Sequence, residues 1–364
     1  MRDNRTTLED LFTHEAIDVK RGDIFDDIRP GILEKTDVDA IEGMMWGLAI
    51  GDALGLVTEA MLPKNRFKKY GEIRDYVTGR RVKEPIGLCT DDTQMAYWTV
   101  EHMLEEDGFV PDKLAKIFTA RPIRGMGKTV GTFRRHIKEG RPWQESGPKS
   151  AGNGALMRIA PILLPHLRHG TELLWADTAL CAMMTHNDSA SIASCISFVA
   201  MLWEVLQMKT PPAPMWWLET YVSHMRKLEK DDTYQPRKAF VEAYEGNIAD
   251  FTEQVITKAW EDGCNTLEAC SRWHSGAYLL ETIPCVLYIL MSHGDSFEEA
   301  VVRAVNDTKD NDTVAAIVGA AMGALYGKSS IPSRWLEKHT GRTQQNDDGQ
   351  IHRLLEQAQQ RWYA

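Results

Sequence analysis

The chain has 364 residues, of which 43% are hydrophobic and 26% charged; that is too apolar for a disordered chain and enough to bury the core of one large domain or two smaller ones. Its formal net charge of -10, from 42 Lys and Arg against 52 Asp and Glu, disfavours nucleic-acid binding, which needs a basic stripe. An anionic ligand can still be held locally by helix N-termini and backbone amides.

The six cysteines (Cys89, Cys181, Cys195, Cys264, Cys270, Cys285) form no CxxC pair and sit mostly in apolar stretches, which reads as buried free thiols. The start, Met-Arg-Asp-Asn, lacks an apolar signal core, and no uninterrupted apolar run reaches membrane-spanning length. The expectation is a soluble, cytoplasmic protein with no membrane partner.

Residues 1–38 differ from the rest. They are polar and acid-rich (Glu9, Asp10, Glu15, Asp18, Asp23, Asp26, Asp27), with scattered apolar residues (Leu8, Leu11, Phe12, Ile17, Val19, Ile24, Phe25, Ile28). The apolar residues recur too regularly for a spacer, so this segment is expected to be an N-terminal extension acting as a partner-binding arm. Residues 39–364 are expected to form one all-α domain.

From Val38 the pattern turns helical. In DAIEGMMWGLAIGDALGLVTE glycines fall at 43, 47, 51 and 55, a ridge without side chains that lets a second helix pack closely. DTVAAIVGAAMGALYGK repeats the device with Ala315, Gly319, Gly323 and Gly327. Each helical glycine costs about 1 kcal/mol, so two such stripes imply tight packing at the centre of the fold. Between them TQMAYWTVEHMLEE, ASIASCISFVAMLWEVLQM and YLLETIPCVLYILM read as buried or half-buried helices. EIRDYVTG is the best β candidate. Residues 208–217 read as a proline-punctuated loop, followed by polar, exposed stretches to about 270.

Two acidic clusters carry the chemistry. Thr90-Asp91-Asp92-Thr93 and Asp310-Asn311-Asp312-Thr313 each open an alanine-rich helical stretch. Taken singly, each is an N-cap with acids in the first turn. Taken together, carboxylates and hydroxyls without cysteine or histidine suit a hard cation such as Mg²⁺ or Mn²⁺. Asp52 and Glu59 lie seven residues apart, on one face if the helix persists, and a carboxylate inside a glycine stripe is a poor choice for a plain core contact. Ser150-Ala151-Gly152-Asn153-Gly154, before Met157 and Arg158, is a loop able to turn successive amides toward a phosphate or simply a tight turn. Arg124-Gly125-Met126-Gly127-Lys128-Thr129 is a second such loop. His186, in Thr185-His186-Asn187-Asp188, is open to a structural or a ligand-binding role.

In this order, GLAIGDALGLVTEA, CTDDTQMAYWTV, SAGNGALMRIAPILL, THNDSASIAS and DNDTVAAIVGAAMGALYG resemble the ADP-ribosylglycohydrolase family, in its dinitrogenase-reductase-activating form, from about 40 to 328. The resemblance implies a compact all-α domain with two divalent cations, Mg²⁺ or Mn²⁺, at the floor of a cleft. It implies Thr90, Asp91, Asp92, Asp310, Asp312 and Thr313 as metal ligands and Glu59 as an acid near the scissile ribose; the catalytic base is Glu59 or a metal-bound Asp, for which Asp92 stands. It implies Ser150, Gly152, Asn153 and Gly154 at the diphosphate, supported by Met157 and Arg158, and His186 near the distal ribose or phosphate. Gly276, Ala277 and Tyr278 match the family's Gly-Tyr segment. There are departures. Asp307 precedes the second acid motif and competes as a ligand, and Ala151 replaces an adenine-stacking aromatic, for which Trp143 is a substitute.

The implied reaction is hydrolysis of the bond between ADP-ribose and a protein side chain, foremost the N-glycosidic bond to arginine. The implied partner is an ADP-ribosylated protein. The acidic arm adds a further expectation, that the protein binds and blocks an ADP-ribosyltransferase toxin as an immunity protein. Two other readings compete: a non-catalytic ADP-ribose-recognising inhibitor, and a metal-dependent phosphohydrolase cutting the diphosphate.

Overall fold

The computed structural model describes residues 3–80, 82–237 and 243–363. At its centre the Val38–Gly55 helix runs antiparallel to the Asn311–Tyr326 helix. The glycine ridges are the contact. A methyl group at Gly43, Gly47 or Gly51 would overlap the carbonyl oxygen of Gly323, Gly319 or Ala315 in turn, and one at Gly55 would overlap the backbone of Asp312. Backbone thus packs on backbone at four successive positions, which offsets the entropic cost of the glycines. The second helix ends at Gly327, whose φ of +79° suits a residue without Cβ.

The Val38–Thr58 segment is long and apolar enough to cross a membrane by length and composition, which the sequence reading passed over, but 83% of its most apolar window is buried inside the protein. Around this pair lie the Asp91–Glu106, Ser189–Val205, Leu279–His293 and Phe297–Asp307 helices. Among the described residues there is no β-sheet, only three isolated bridges. The all-α expectation holds, as does that of free thiols.

Two local expectations fail. The segment 208–217 is a loop only to Ala213: Pro214 sits in the first turn of a Pro214–Leu228 helix, where its fixed φ is favourable. That helix buries Trp217, Tyr221 and Met225, and the Ile248–Glu261 and Thr266–Arg272 helices follow, so this region is structured rather than exposed. EIRDYVTG forms no strand. The Asn306 amide both donates to and accepts from the Ile73 backbone, at 2.8 Å each way, and so takes the place of a neighbouring strand.

The N-terminal segment lies on the body. It starts with an Asn4–Thr13 helix, and Leu8, Leu11, Ile17, Val19, Phe25 and Ile32 are all buried in the common core. Asn4 donates to Asp177 Oδ1 (2.6 Å) and to the Phe109 carbonyl (2.8 Å), and the Lys20 amide donates to the Leu228 carbonyl. Most of the regular apolar spacing that suggested a partner is satisfied within the same chain; Ile28, 60% exposed, is not.

Candidate active site

The two acidic clusters begin the Asp91–Glu106 and Asn311–Tyr326 helices, with Thr90 and Asp310 at the N-cap positions. Neither side chain makes a capping hydrogen bond. Thr90 turns instead toward Asp52, which is fully buried, and Asp310 accepts from Asn153. Asp52 Oδ2 accepts from the Thr90 amide (2.8 Å), the Thr93 amide (3.2 Å) and the Thr93 hydroxyl (2.5 Å). The Thr90 hydroxyl lies 2.7 Å from Asp52 Oδ1 and 3.0 Å from Asp92 Oδ2, one proton for two carboxylates. Asp92 Oδ1 is buried and, among the described residues, has no hydrogen-bond partner.

Among the described residues, carboxylate oxygens of Asp52, Asp92 and Asp312 lie within 4.8 Å of one another, and so do those of Glu59, Asp310 and Asp312. Asp312 belongs to both groups. Burial raises the pKa of Asp52, Asp92 and Asp312, and neighbouring carboxylates add to the shift at Asp92 and Asp312. Burial, then Asp52, lifts Asp91 to about 7; burial lifts Asp310 to about 6 against the Asn153 hydrogen bond. Like charges held this close out of water favour proton or cation uptake. An all-oxygen set with an orphaned carboxylate oxygen fits a hard divalent cation.

The framework around these acids is rigid. The buried Arg66 guanidinium donates to the Asn306 and Thr308 carbonyls (2.9 and 2.7 Å) and to the Thr58 hydroxyl (3.0 Å). Thr58 in turn receives Asn311 Nδ2 at 2.9 Å. The Ser275 carbonyl accepts the Lys309 and Asp310 amides. Asp310 also accepts Asn153 Nδ2 at 2.7 Å, so the glycine loop and the second acid cluster are directly joined. The same loop bridges to Tyr278, and its Ala151 carbonyl accepts the Leu279 amide.

A cleft of about 430 Å³ opens over the acids. Of the residues singled out from sequence, Glu59, Asp91, Asp92, Asp310, Asp312, Thr313, Ser150, Gly152, Asn153, Gly154, Met157 and His186 all line it. So do Gly125, Gly127, Lys128 and Thr129 of the second loop, with the Thr129 and Ser150 hydroxyls 3.0 Å apart.

Several expectations need correcting. The helix breaks after Gly55, so Glu59 reaches the cleft from an exposed turn and not along a shared helical face with Asp52. Thr90 does not line the cleft; its hydroxyl is bound up between Asp52 and Asp92. Asp91 lies on the cleft wall outside both three-carboxylate groups. Asp307 is no competing ligand: it accepts from Thr266 (2.5 Å) and pairs with Arg303 (3.6 Å). Trp143 lines a separate cavity beside the N-terminal helix.

One residue was singled out without a role and one was missed. Asp52, marked in the sequence by its place within the glycine stripe, completes one carboxylate group. Arg237 lines the cleft, stacks 4.7 Å from the Tyr278 ring centroid and pairs with Glu281 at 3.0 Å; nothing local in the sequence marks it.

A family model described as ADP-ribosylglycohydrolase matches residues 33–364. The chain belongs to the ADP-ribosylglycohydrolase family. It is similar to the ADP-ribosyl-[dinitrogen reductase] glycohydrolase of Rhodospirillum rubrum, 28% identical over 87% of this chain and 96% of that protein. It is also similar to the ADP-ribosylarginine hydrolase Tri1 of Pseudomonas putida, 27% identical over 83% of this chain and 74% of that one. A solved ADP-ribosylglycohydrolase-related protein complex superposes with a TM-score of 0.63 at 25% identity, covering 90% of this chain and 97% of its own. The family match begins at residue 33, after the N-terminal helix.

Proposed function

We propose that the protein hydrolyses the N-glycosidic bond between ADP-ribose and arginine on modified proteins. The observation that carries this reading is the pair of carboxylate groups sharing Asp312 beneath a glycine-loop cleft. Asp52, Asp92 and Asp312 would hold one divalent cation, and Glu59, Asp310 and Asp312 a second, Mg²⁺ or Mn²⁺. Such ions supply Lewis-acid polarisation of ribose hydroxyls and of a water.

The chain's own residues do the rest. Amides of residues 150–154 offer donors to a diphosphate without lysine or arginine, which reconciles an anionic substrate with an acidic protein. Cleavage builds oxocarbenium character at the ribose carbon, and the acids beneath it are placed to stabilise that charge. Glu59, exposed at the cleft edge, is placed to take the proton of the attacking water, and the departing guanidine takes one up. The Tri1 and dinitrogen-reductase relatives carry names for arginine-linked or protein-linked ADP-ribose removal, which supports arginine as the leaving group. Toxin binding by residues 1–38 stays outside the proposal, because six of their apolar side chains are buried in the chain's own core, with Ile28 exposed.

The test is product analysis with ADP-ribosylarginine protein and added Mg²⁺ or Mn²⁺. Free ADP-ribose is the expected product. AMP would move the reading to diphosphate cleavage, and binding without turnover would make the protein an ADP-ribose receptor.

A further inference from the structure

Below the glycine loop lies a buried relay outside the acid cluster. Arg158 is fully buried and, among the described residues, faces no carboxylate partner; its guanidinium stacks 5.0 Å from the Phe118 ring centroid. One Nη2 donates to the Cys181 carbonyl (3.0 Å) and to the Thr185 hydroxyl oxygen (2.8 Å). The same Thr185 hydroxyl lies 2.9 Å from His186 Nδ1. On its other side His186 faces the loop: a Cβ built at Gly154 would lie 3.2 Å from Nε2, and one built at Gly152 3.5 Å.

Hydrogen-bond bookkeeping fixes the proton. Arginine only donates, so Thr185 Oγ1 accepts from it, and the one hydroxyl proton remains for a buried acceptor. His186 Nδ1 is that acceptor. The opposite arrangement, with Nδ1 protonated, leaves the Thr185 proton without a partner in a site with no exposure to water. Burial, and then the Arg158 charge, hold His186 neutral by pushing its pKa down to about 3. The remaining proton therefore sits on Nε2, which points at the loop.

We propose that Arg158 and Thr185 are positioning residues that lock His186 as the Nε2–H tautomer, making it a single-proton donor to an oxygen of the ligand held by the glycine loop. The ligand is ADP-ribose if the function proposed above is right, and in that respect this inference rests on that reading. Among the loop's side chains Asn153 Nδ2 is already committed to Thr282 and Asp310, so His186 Nε2 adds a side-chain donor there. The glycines at 152 and 154 leave the space through which Nε2 reaches the ligand.

The experiment is nitrogen-15 NMR of the full chain with labelled histidine at neutral pH, His186 being assigned by its absence in His186→Gln. The expected result is a protonated Nε2 and an unprotonated Nδ1. Thr185→Val should mix or reverse the tautomers and weaken ADP-ribose binding roughly tenfold or more, the scale of one lost hydrogen bond to a charged group. Thr185→Ser should restore both. A wild-type spectrum with the proton on Nδ1 overturns the proposal, and so does a folded Thr185→Val variant with unchanged tautomer or unchanged affinity. If Thr185→Val does not fold, the wild-type spectrum and Thr185→Ser decide. A protein that binds ADP-ribose and shows the expected spectrum, yet releases nothing from modified arginine, loses the hydrolase reading and keeps this one.

Discussion

Gly55 packs against the backbone of Asp312, so closely that a single methyl group at position 55 would displace the acid shared by both carboxylate groups. The helix contact and the candidate metal centre are therefore one feature. Two helix stripes, distant in sequence, set the position of Asp312 as they pack.

This makes the glycine stripe testable as a gradient. Gly43→Ala, at the far end from the acids, should destabilise the fold by about 1–3 kcal/mol through backbone overlap while leaving metal affinity in the surviving folded protein near normal. Gly55→Ala should cost similar stability and also weaken Mn²⁺ binding, because the Asp312 backbone must move. Gly131→Ala, in the separate Lys128–Lys138 helix, is the control: only a flexible Met126 methyl lies within 4 Å, at 3.6 Å, so that helix should gain up to about 1 kcal/mol. Thermal melts and calorimetric titration with Mn²⁺ separate the three, and equal metal affinity in the Gly43 and Gly55 variants would contradict the coupling.

Asp312→Asn should remove activity and lower divalent-cation affinity at least about 100-fold, since one oxygen set serves both groups. Asp307→Asn, five residues earlier, should behave differently. It would keep metal affinity and lose about 1–3 kcal/mol of stability, because Asp307 serves Thr266 and Arg303. Comparing titration curves for the two variants checks the assignment; parallel losses would return Asp307 to the ligand set.

Deleting residues 1–36 should lower the melting temperature sharply or make the protein insoluble, rather than trim a loose arm. Six apolar side chains would leave the core, each worth about 1.5–3 kcal/mol when fully buried. A truncated protein with an unchanged melting temperature would show that these contacts contribute little.

Much of this arrangement was legible in the sequence because its signals are local. The four-residue glycine spacing predicts a close helix contact, and paired acid motifs at two helix starts predict a hard-cation site. What escaped depends on tertiary context. Thr90 stands at the N-cap as its sequence suggests, but its side chain does not cap, because Asp52, thirty-eight residues away, offers both its carboxylate oxygens to the Thr90 side chain and backbone. The apolar residues of the first 32 positions gave the correct amphipathic pattern, but pattern alone does not say whether the surface they cover belongs to a partner or to the same chain. Arg237 sits in a polar stretch without periodicity, and only the fold lays it over Tyr278.

Arg237→Ala should raise the KM for ADP-ribosylated substrate several-fold and also lower the melting temperature. Its own side chain is 54% exposed, but its partner Glu281 is buried, so removing the guanidinium leaves a buried carboxylate without its cation. Its place on the cleft wall over Tyr278 makes the ligand a second group that notices its loss, and an unchanged KM would remove Arg237 from the binding surface.

Chelator-treated protein should lose stability as pH rises, the reverse of an ordinary acidic surface. Asp91 and Asp310 titrate at about 7 and about 6 in the folded chain because burial disfavours their charged forms, against about 4 when unfolded. A raised folded pKa means that the native state binds protons more tightly. The resulting stabilisation is complete below about pH 4, declines as pH climbs, and is gone above about 7. Bound divalent cations would compensate the same carboxylate charges, so Mn²⁺-loaded protein should show a flatter profile over that range. Melting temperatures from pH 4.5 to 8, with chelator and with Mn²⁺, give the comparison directly: matching slopes in the two series would mean that the clustered acids do not bind the cation.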